Sequence, residues 1–440
     1  MMKKMFSGKA SGYLLSAAVA AATAAVAMPA AAYNLHSENG TELNLDVEAI
    51  VGAFSSEENY FGKAGNGSDW QEAYIKAGLS GSHSYSAQGA SVYGAVNILS
   101  SGTFGDGDAG GNTSGNERET DFEDIYVGWR SGNMIPALGE NGVDVSFGRQ
   151  NISIGDGFLL NGDSLNLGDT LGAQADRGGA YWLAARKAFD ETFWLKLGGD
   201  SGVRSDLFWF KSDNNGQSNV EMAGLNIEYV TDSGTFGAMY LEGLGQNDVL
   251  GMGHDRDGME TLSLRYQGNA GVENLFLNAE FVQQENGSGV DSDAWTAEAG
   301  WTFADLPWSP AVNYRYTSYD DGFDSLFFGF SRGYGTWYQG EVAANYAGPF
   351  GSSADIHHVG LKVFPAETLA LGAMYFDFKD STTFGANSEG QELDLYAEWV
   401  VNDHLIISPL VGIYSPDSSN ATQNTKKDNT YFQVLAIVPF

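Results

Sequence analysis

The feature that most constrains this chain is a hydrophobic alternation of period two, recurring in segments of about ten residues. In "ELDLYAEWV", Leu393, Leu395, Ala397, Trp399 and Val401 alternate with Asp394, Tyr396 and Glu398. "AWTAEAGWTF" sets Trp295, Ala297, Ala299, Trp301 and Phe303 against Thr296, Glu298 and Gly300. "NLFLNAEF" sets Leu275, Leu277, Ala279 and Phe281 against Asn278 and Glu280, and "TLSLRY" sets Leu262, Leu264 and Tyr266 against Ser263 and Arg265. Successive side chains of a strand point to opposite faces. Each segment therefore makes one uncharged face ringed with Trp and Tyr, and one that carries Asp, Glu and Arg. A soluble sandwich would turn its charges outward. Here the aromatic face suits lipid and the charged face suits water in a lumen. A tilted strand of about ten residues also crosses a bilayer. The alternation predicts an all-β fold, a closed antiparallel transmembrane barrel.

The amino terminus reads differently. Lys3, Lys4 and Lys9 precede the apolar run "YLLSAAVAAATAAVAM", and Ala30, Ala31 and Ala32 offer small residues for cleavage. Residues 1–32 are expected to be a cleaved signal peptide, and 33–440 a single barrel domain. No later stretch approaches eighteen consecutive apolar residues, so no membrane helix is expected. With 0 Cys, an exported chain depends on backbone pairing and burial for stability. A formal charge of −34 argues against nucleic acid as a partner. In "TYFQVLAIVPF", Phe432, Val434, Ala436, Val438 and Phe440 share a face, which reads as a last strand that pairs with the first. A terminal aromatic resembles the signal read by barrel-assembly machinery. The expected setting is the outer membrane of a Gram-negative bacterium, with lipid and lipopolysaccharide as neighbours.

Connections alternate between short ones, such as 232–234, 365–367 and 402–403, and long polar ones at 55–68, 100–118, 151–177, 246–257, 286–292, 380–388 and 415–429. Short periplasmic turns and long external loops are the expected asymmetry. A direct count gives nineteen strands, because "WYQGEVAANYAG" also looks extended. An odd count leaves the two ends on opposite sides of the membrane. Placing 320–354 in one external loop restores parity and gives eighteen strands, with sixteen as the alternative. They run from 42–54 to 430–440 and include 178–198 and 203–213.

At "VSFGRQNISIGDGF" (145–158) the chain resembles the alginate export family of outer-membrane porins. There a strand ending in Gly-Arg-Gln follows one like "FEDIYVGW" and precedes a Gly/Asp-rich loop. "HHVGLKVFPAETLALGAMYFDF" and "ELDLYAEWVVNDHLIISPLVGIYSPD" resemble that family's closing hairpins. The resemblance implies a monomeric barrel of eighteen strands that passes a polyanionic polysaccharide, with arginines and lysines in its lumen. Arg149 matches the family's lumen-facing arginine. Strict alternation puts Arg149 with Val145 and Phe147, so a bulge at Gly148 is needed to aim it inward.

Projected onto the polar faces, the basic pore-lining residues are Arg130, Arg265, Arg315 and Lys76, with Arg149. The acidic ones are Asp46, Glu48, Asp124, Glu228, Glu280, Glu298, Asp394 and Glu398. This wall is more acidic than the family implies and would repel a polyuronate. The bland reading is that neighbouring acids and bases neutralise each other. Trp70, Trp129, Trp182, Trp209, Trp295, Trp301 and Trp399 read as a lipid-interface girdle, while Tyr74, Tyr126 and Tyr396 share the polar face. His357 and His358 point to opposite faces and cannot share a metal. Loops 105–112 and 254–260 hold fragments of calcium-loop patterns without the closing glutamate, so no metal site or cofactor is expected beyond calcium at external acidic loops. No nucleophile motif with partners and no phosphate loop occurs, so neither an enzyme nor driven transport is expected. The expectation is a passive channel for a polysaccharide, sugar or other small polar solute. The alternative is a structural or adhesive barrel whose acidic loops bind partners.

Overall fold

A computed structural model describes residues 33–329, 332, 334–335, 339–348 and 353–439. Its strands begin with β1 (Tyr33–Glu38), β2 (Thr41–Ser56), β3 (Ser68–Ser84), β4 (Ser91–Gly105), β5 (Arg118–Arg130), β6 (Val143–Gln150) and β7 (Phe189–Leu197). They continue as β8 (Gly202–Lys211), β9 (Glu221–Thr231), β10 (Gly234–Gly245), β11 (Glu260–Gly268), β12 (Leu275–Glu285), β13 (Asp291–Thr302) and β14 (Ala311–Tyr319). The last are β15 (Ala354–Ala366), β16 (Leu369–Lys379), β17 (Thr382–Thr383), β18 (Ala386–Asn387), β19 (Gly390–Asn402), β20 (Leu405–Pro416) and β21 (Asn429–Pro439).

All but three of these form one closed antiparallel sheet of eighteen staves, the expected number. β2 pairs with both β3 and β21, Val51 standing opposite Ala436, and that pairing closes the ring. The exceptions are the two-residue pair β17–β18 within a long loop, and β1. β1 was not anticipated, and its place follows from the seam. β21 ends opposite Glu48, leaving the start of β2 with an open edge, and β1 pairs there with Tyr33 opposite Leu45.

The barrel is inside-out. Val51, Ile75, Val127, Phe147, Leu264, Trp295, Leu361 and Trp399 are exposed on the outer face. Glu72, Asn226, Glu280, Arg315, Asp394 and Gln433 are buried on the inner one. Long loops gather at one end and short turns at the other.

Three expectations change. The strand expected at 178–198 is confined to β7. Residues 180–185 are all buried, without the alternation a wall strand needs, and Ala180 and Ala184 take φ of 54° and 46°. Trp182 therefore lies inside the barrel, 2 % exposed, and not on a girdle. Trp70 is also internal, stacked on Phe54 at 5.1 Å, because it shares the inner face with Glu72 and Tyr74. Residues 339–348 of the expected loop 320–354 form no strand; a single helical turn, Ala344–Ala347, occurs there. Residues 1–32, expected to be a signal peptide, and Phe440 lie outside the described residues.

Candidate solute passage

Loop 151–188 and the described residues of loop 320–353 fold into the barrel and meet. Phe327 N donates to Leu159 O at 2.9 Å, Asn161 N to Phe327 O at 2.8 Å, and Gly329 N to Gly157 O at 3.0 Å. Deeper along the contact, Trp182 Nε1 donates to Glu341 at 3.0 Å and Tyr181 Oη to Asn345 O at 2.8 Å. Irregular backbone inside a barrel must find partners for its amides. Inner-face carboxylates supply them. Glu72 accepts from Leu183 N, Glu123 from Lys187 N and Ala188 N, and Glu392 from the amides of Glu341, Val342 and Ala343. Arg332 clamps the two loops to the wall, with Asp156 at 2.8 Å and Glu298 at 2.7 Å. Arg256 holds Asp324 at 2.6 Å.

This packing covers the inner wall unevenly. On the covered side, Glu298 meets Arg332, and Arg315 is fully buried, donating to Gln339 of the infolded loop at 3.2 Å. Glu280 accepts from Ser263 at 2.6 Å, and Asp394 lies buried two residues beyond Glu392. Glu398 meets Lys362 at 2.5 Å, and Tyr396 stacks on Tyr334 of the loop at 4.0 Å. On the other side, over β2–β8, the loop covers Glu72 and Glu123, but a further group of charges keeps contact with water. Lys76 stands 3.7 Å from Glu48 and 3.9 Å from Asp124, while Asp46 accepts from Ser80 and Glu48 from the Tyr74 phenol. The Arg130 side chain is 43 % exposed, lies 4.0 Å over the Tyr93 ring and meets Asp144 at 3.0 Å. Tyr93 in turn meets Tyr126 edge-on at 6.2 Å.

A third group spans β8 to β12. Arg204, Glu228, Gly237, Arg265 and Glu280 stand directly opposite one another on successive staves. Glu228 is gripped from both sides, by Arg204 and by Arg265, each at 2.5 Å. Arg265 reaches it across Gly237, where a Cβ would lie 2.6 Å from the guanidinium carbon. Arg149 sits at the bulge expected near Gly148. The register shifts there, Gly148 takes φ 121°, and a Cβ on it would lie 2.2 Å from Ile125 O. The guanidinium meets Asp190 at 2.8 Å and Asp213 at 2.7 Å, and Asp213 also meets Arg177 of the infolded loop. So Arg149 belongs to the long-loop rim, five residue pairs from Arg130 on the neighbouring stave.

Several charged residues were missed. Arg204 and Lys362 were not among the projected residues, although period two places both on the inner faces of their strands. Arg177, Arg256 and Arg332 lie in loops where period two carries no information. The available signal was apolar content, "GFLLNGDSLNLG" and "GAYWLAARKAF" being too apolar for solvated loops. Lys63 is a further case. Its ammonium binds the carbonyl oxygens of Asp106 and Gly107, both at 2.9 Å, and of Asp108 at 2.5 Å. A lysine thus fills the carbonyl cage of one calcium-like fragment. Among the described residues no group of three or more acidic or histidine side chains is arranged to hold a metal ion. His358 is buried inward beside Phe376 and His357 faces outward to Tyr314, on opposite faces as expected.

In the loops, burial shapes the protonation states. Burial and the nearby Glu392 push Glu341 up to about 8. Burial would raise Asp324 too, but the Arg256 guanidinium holds it down at about 2. Burial, with Arg256 adding, lowers His254 to about 4.

A closed inside-out barrel of eighteen antiparallel staves is the fold of outer-membrane porins. No family model and no curated protein matches the chain. Among solved structures it is similar to OccAB1 of Acinetobacter baumannii, at 11% identity and TM-score 0.56, covering 90% of this chain and 96% of that one. OccAB4 of the same organism aligns at 10% identity and TM-score 0.56, covering 90% and 97%. Pseudomonas aeruginosa OpdQ aligns at 13% identity and TM-score 0.53, covering 89% and 98%. The likeness is one of fold. The alginate export family gains no support from it.

Proposed function

We propose that this chain is an outer-membrane channel of a Gram-negative bacterium that lets small polar solutes, sugars among them, pass down their gradients. The observation that carries this reading is the unequal covering of the inner wall. The infolded loops bury the side formed by β12–β21 and also reach Glu72 on β3 and Glu123 on β5, whereas the Glu48–Lys76–Asp124 and Arg130–Asp144 groups remain in contact with water. A solute path along that side is narrow, wet and lined by both signs of charge, which favours small polar solutes over a polymer. A polyuronate such as alginate fits poorly, because Asp46, Glu48, Asp124 and Asp144 would meet it. Passive passage needs neither nucleotide nor catalytic group. Lipid, lipopolysaccharide and barrel-assembly machinery are the surroundings such a barrel would have.

Purified protein in planar bilayers should give discrete conductance steps, and liposomes containing it should swell in small neutral sugars but not in large ones. Folded protein that gives no steps would overturn the channel reading. It would favour a structural or adhesive barrel, a reading that the buried ion pairs fastening both loops also support.

A further inference from the structure

We infer that the inner wall over β4–β8, on the short-turn side of the infolded loops, carries a subsite for a neutral pyranose sugar, stacked on Trp194 and flanked by Tyr93. This subsite rests on the reading of the barrel as a solute channel and names a class of solute that binds in it. The register builds the site in two tiers. Tyr93, Gly128, Ser146, Trp194 and Phe208 stand directly opposite one another on successive staves. Two residues nearer the short turns, Arg130, Asp144, Lys196 and Asp206 do the same. Residues two apart on a strand share a face, so both tiers line the lumen.

Within the tiers one arrangement occurs twice. Arg130 lies 4.0 Å over the Tyr93 ring, and the Tyr93 phenol donates to Asp144. Lys196 lies 3.7 Å over the Trp194 ring, and Trp194 Nε1 donates to Asp206 at 3.1 Å. Each unit is an aromatic ring with a cation on its face and a carboxylate at its polar edge. Tyr93 reaches Asp144 by leaning across Gly128, where a Cβ would lie 2.3 Å from the Tyr93 ring.

The two units differ in how the cation is held. Arg130 is tied to Asp144 at 3.0 Å. The Lys196 ammonium forms no ion pair or hydrogen bond among the described residues, although Asp144 and Asp206 face it from the neighbouring staves. Those carboxylates are already engaged, Asp144 by Tyr93 and Arg130, and Asp206 by Trp194 and by Asn226 at 2.8 Å. A cation held by a ring face alone is held weakly, so a solute can displace it and find the indole open. Among the described residues, none of these side chains hydrogen-bonds to either infolded loop, and the site faces the wet side.

The chemistry selects the solute. Two cations and two carboxylates leave the site without net charge, so a charged solute meets its own sign as readily as its opposite. A pyranose offers a C–H face to the indole, and hydroxyls that donate to the carboxylates and accept from Arg130 and Lys196. Tyr126, edge-on to Tyr93 at 6.2 Å, adds a hydroxyl that has no partner among the described residues.

Saturation-transfer NMR on the purified, folded barrel, with maltose as the probe, tests the subsite without any need for conduction. Maltose ring protons should receive saturation from the wild type, and Trp194→Ala should weaken binding about tenfold. Trp194→Phe keeps a ring face and should stay within about threefold of the wild type. Trp399→Ala removes an outward ring and should bind as the wild type does. Heat-modifiable gel mobility checks that each variant is folded. Binding should be the same at low and high salt, because an uncharged solute is not screened. The proposal is overturned by a folded wild type that gives no transfer, by undiminished binding in Trp194→Ala, or by gluconate binding more tightly than maltose. A barrel that binds maltose and passes no current would sink the channel reading alone; one that conducts and binds no maltose would sink the subsite alone.

Discussion

The guanidinium of Arg332 stands 2.7 Å from the carboxylate of Glu298, a contact that ties an infolded loop to the barrel wall. The same guanidinium meets Asp156 at 2.8 Å, so one side chain fastens both infolded loops. All three side chains are less than a tenth exposed. Removing one member of a buried set leaves the others uncompensated, at a cost of about 3–5 kcal/mol. Arg332→Met should therefore loosen both loops, giving frequent current transitions and a lower midpoint for loss of heat-modifiable mobility. Arg332→Lys keeps the charge but loses the fork and should fall between. Wild-type noise and stability in Arg332→Met would show that the clamp is not what holds the loops.

Gly237 is where two staves exchange charge across a third. Gly237→Ala would place a methyl 2.6 Å from the Arg265 guanidinium carbon, so the arginine must swing off Glu228. Arg204 still covers that carboxylate, and the expected loss of stability is modest, on the order of 1 kcal/mol for one displaced charged hydrogen bond. The ion selectivity of the channel should change while the thermal midpoint barely moves. An unchanged reversal potential would place Arg265 off the conduction path.

Glu341 predicts a dependence on pH. Its carboxyl is held between Trp182 and Asn345, with Glu392 and Asp394 facing it from β19, and burial pushes it up to about 8. A carboxyl whose docked value is raised holds a proton that the released loop gives up. Docking is therefore favoured at low pH and weakens as pH rises from about 4.5 through about 8. Current flicker should be greater at pH 9 than at pH 6. Glu341→Gln should behave at both as the wild type does at pH 6. A wild-type channel equally quiet at the two would rule this out.

Asp324 has the opposite sign. Arg256 holds it at about 2, so its contribution of roughly 2 kcal/mol is present at neutral pH. That contribution is lost as pH falls from about 4 through about 2. Asp324→Asn should lower the unfolding midpoint at pH 7 and leave it nearly unchanged at pH 2; an equal loss at both would refute the ion-pair account.

Selectivity tests the balance of the wall. Acids outnumber bases among the inward residues projected from sequence, which predicts a weak preference for cations. Arg130→Ala, on the wet side, should strengthen that preference in reversal-potential measurements. Arg315→Ala, on the covered side, should act mainly through stability. If neither variant nor Arg149→Ala or Arg265→Ala shifts the potential, none of these side chains lies on the path.

Alternation made the wall legible. Trp295, Leu264 and Leu393 read outward, Glu298, Arg265 and Asp394 read inward, and each lies where period two puts it. Parity over the whole chain placed 320–354 outside the wall, and the described residues of that span form no wall strand before Ala354. The bulge at Gly148 was legible too, because a strand carrying Arg149 outward would face it to lipid.

What the sequence by itself determined is the inside-out barrel, because a strand's two faces are set by its own backbone and need no knowledge of distant residues. What only the tertiary structure decided is the interior. Whether Trp182 or Arg332 faces solvent depends on which inner carboxylates can receive loop amides and guanidinium groups, and Asp156, Glu298 and Glu392 come from segments far apart in the chain. Buried charge is tolerated only where such partners converge, and convergence is a property of the closed barrel and not of any local stretch.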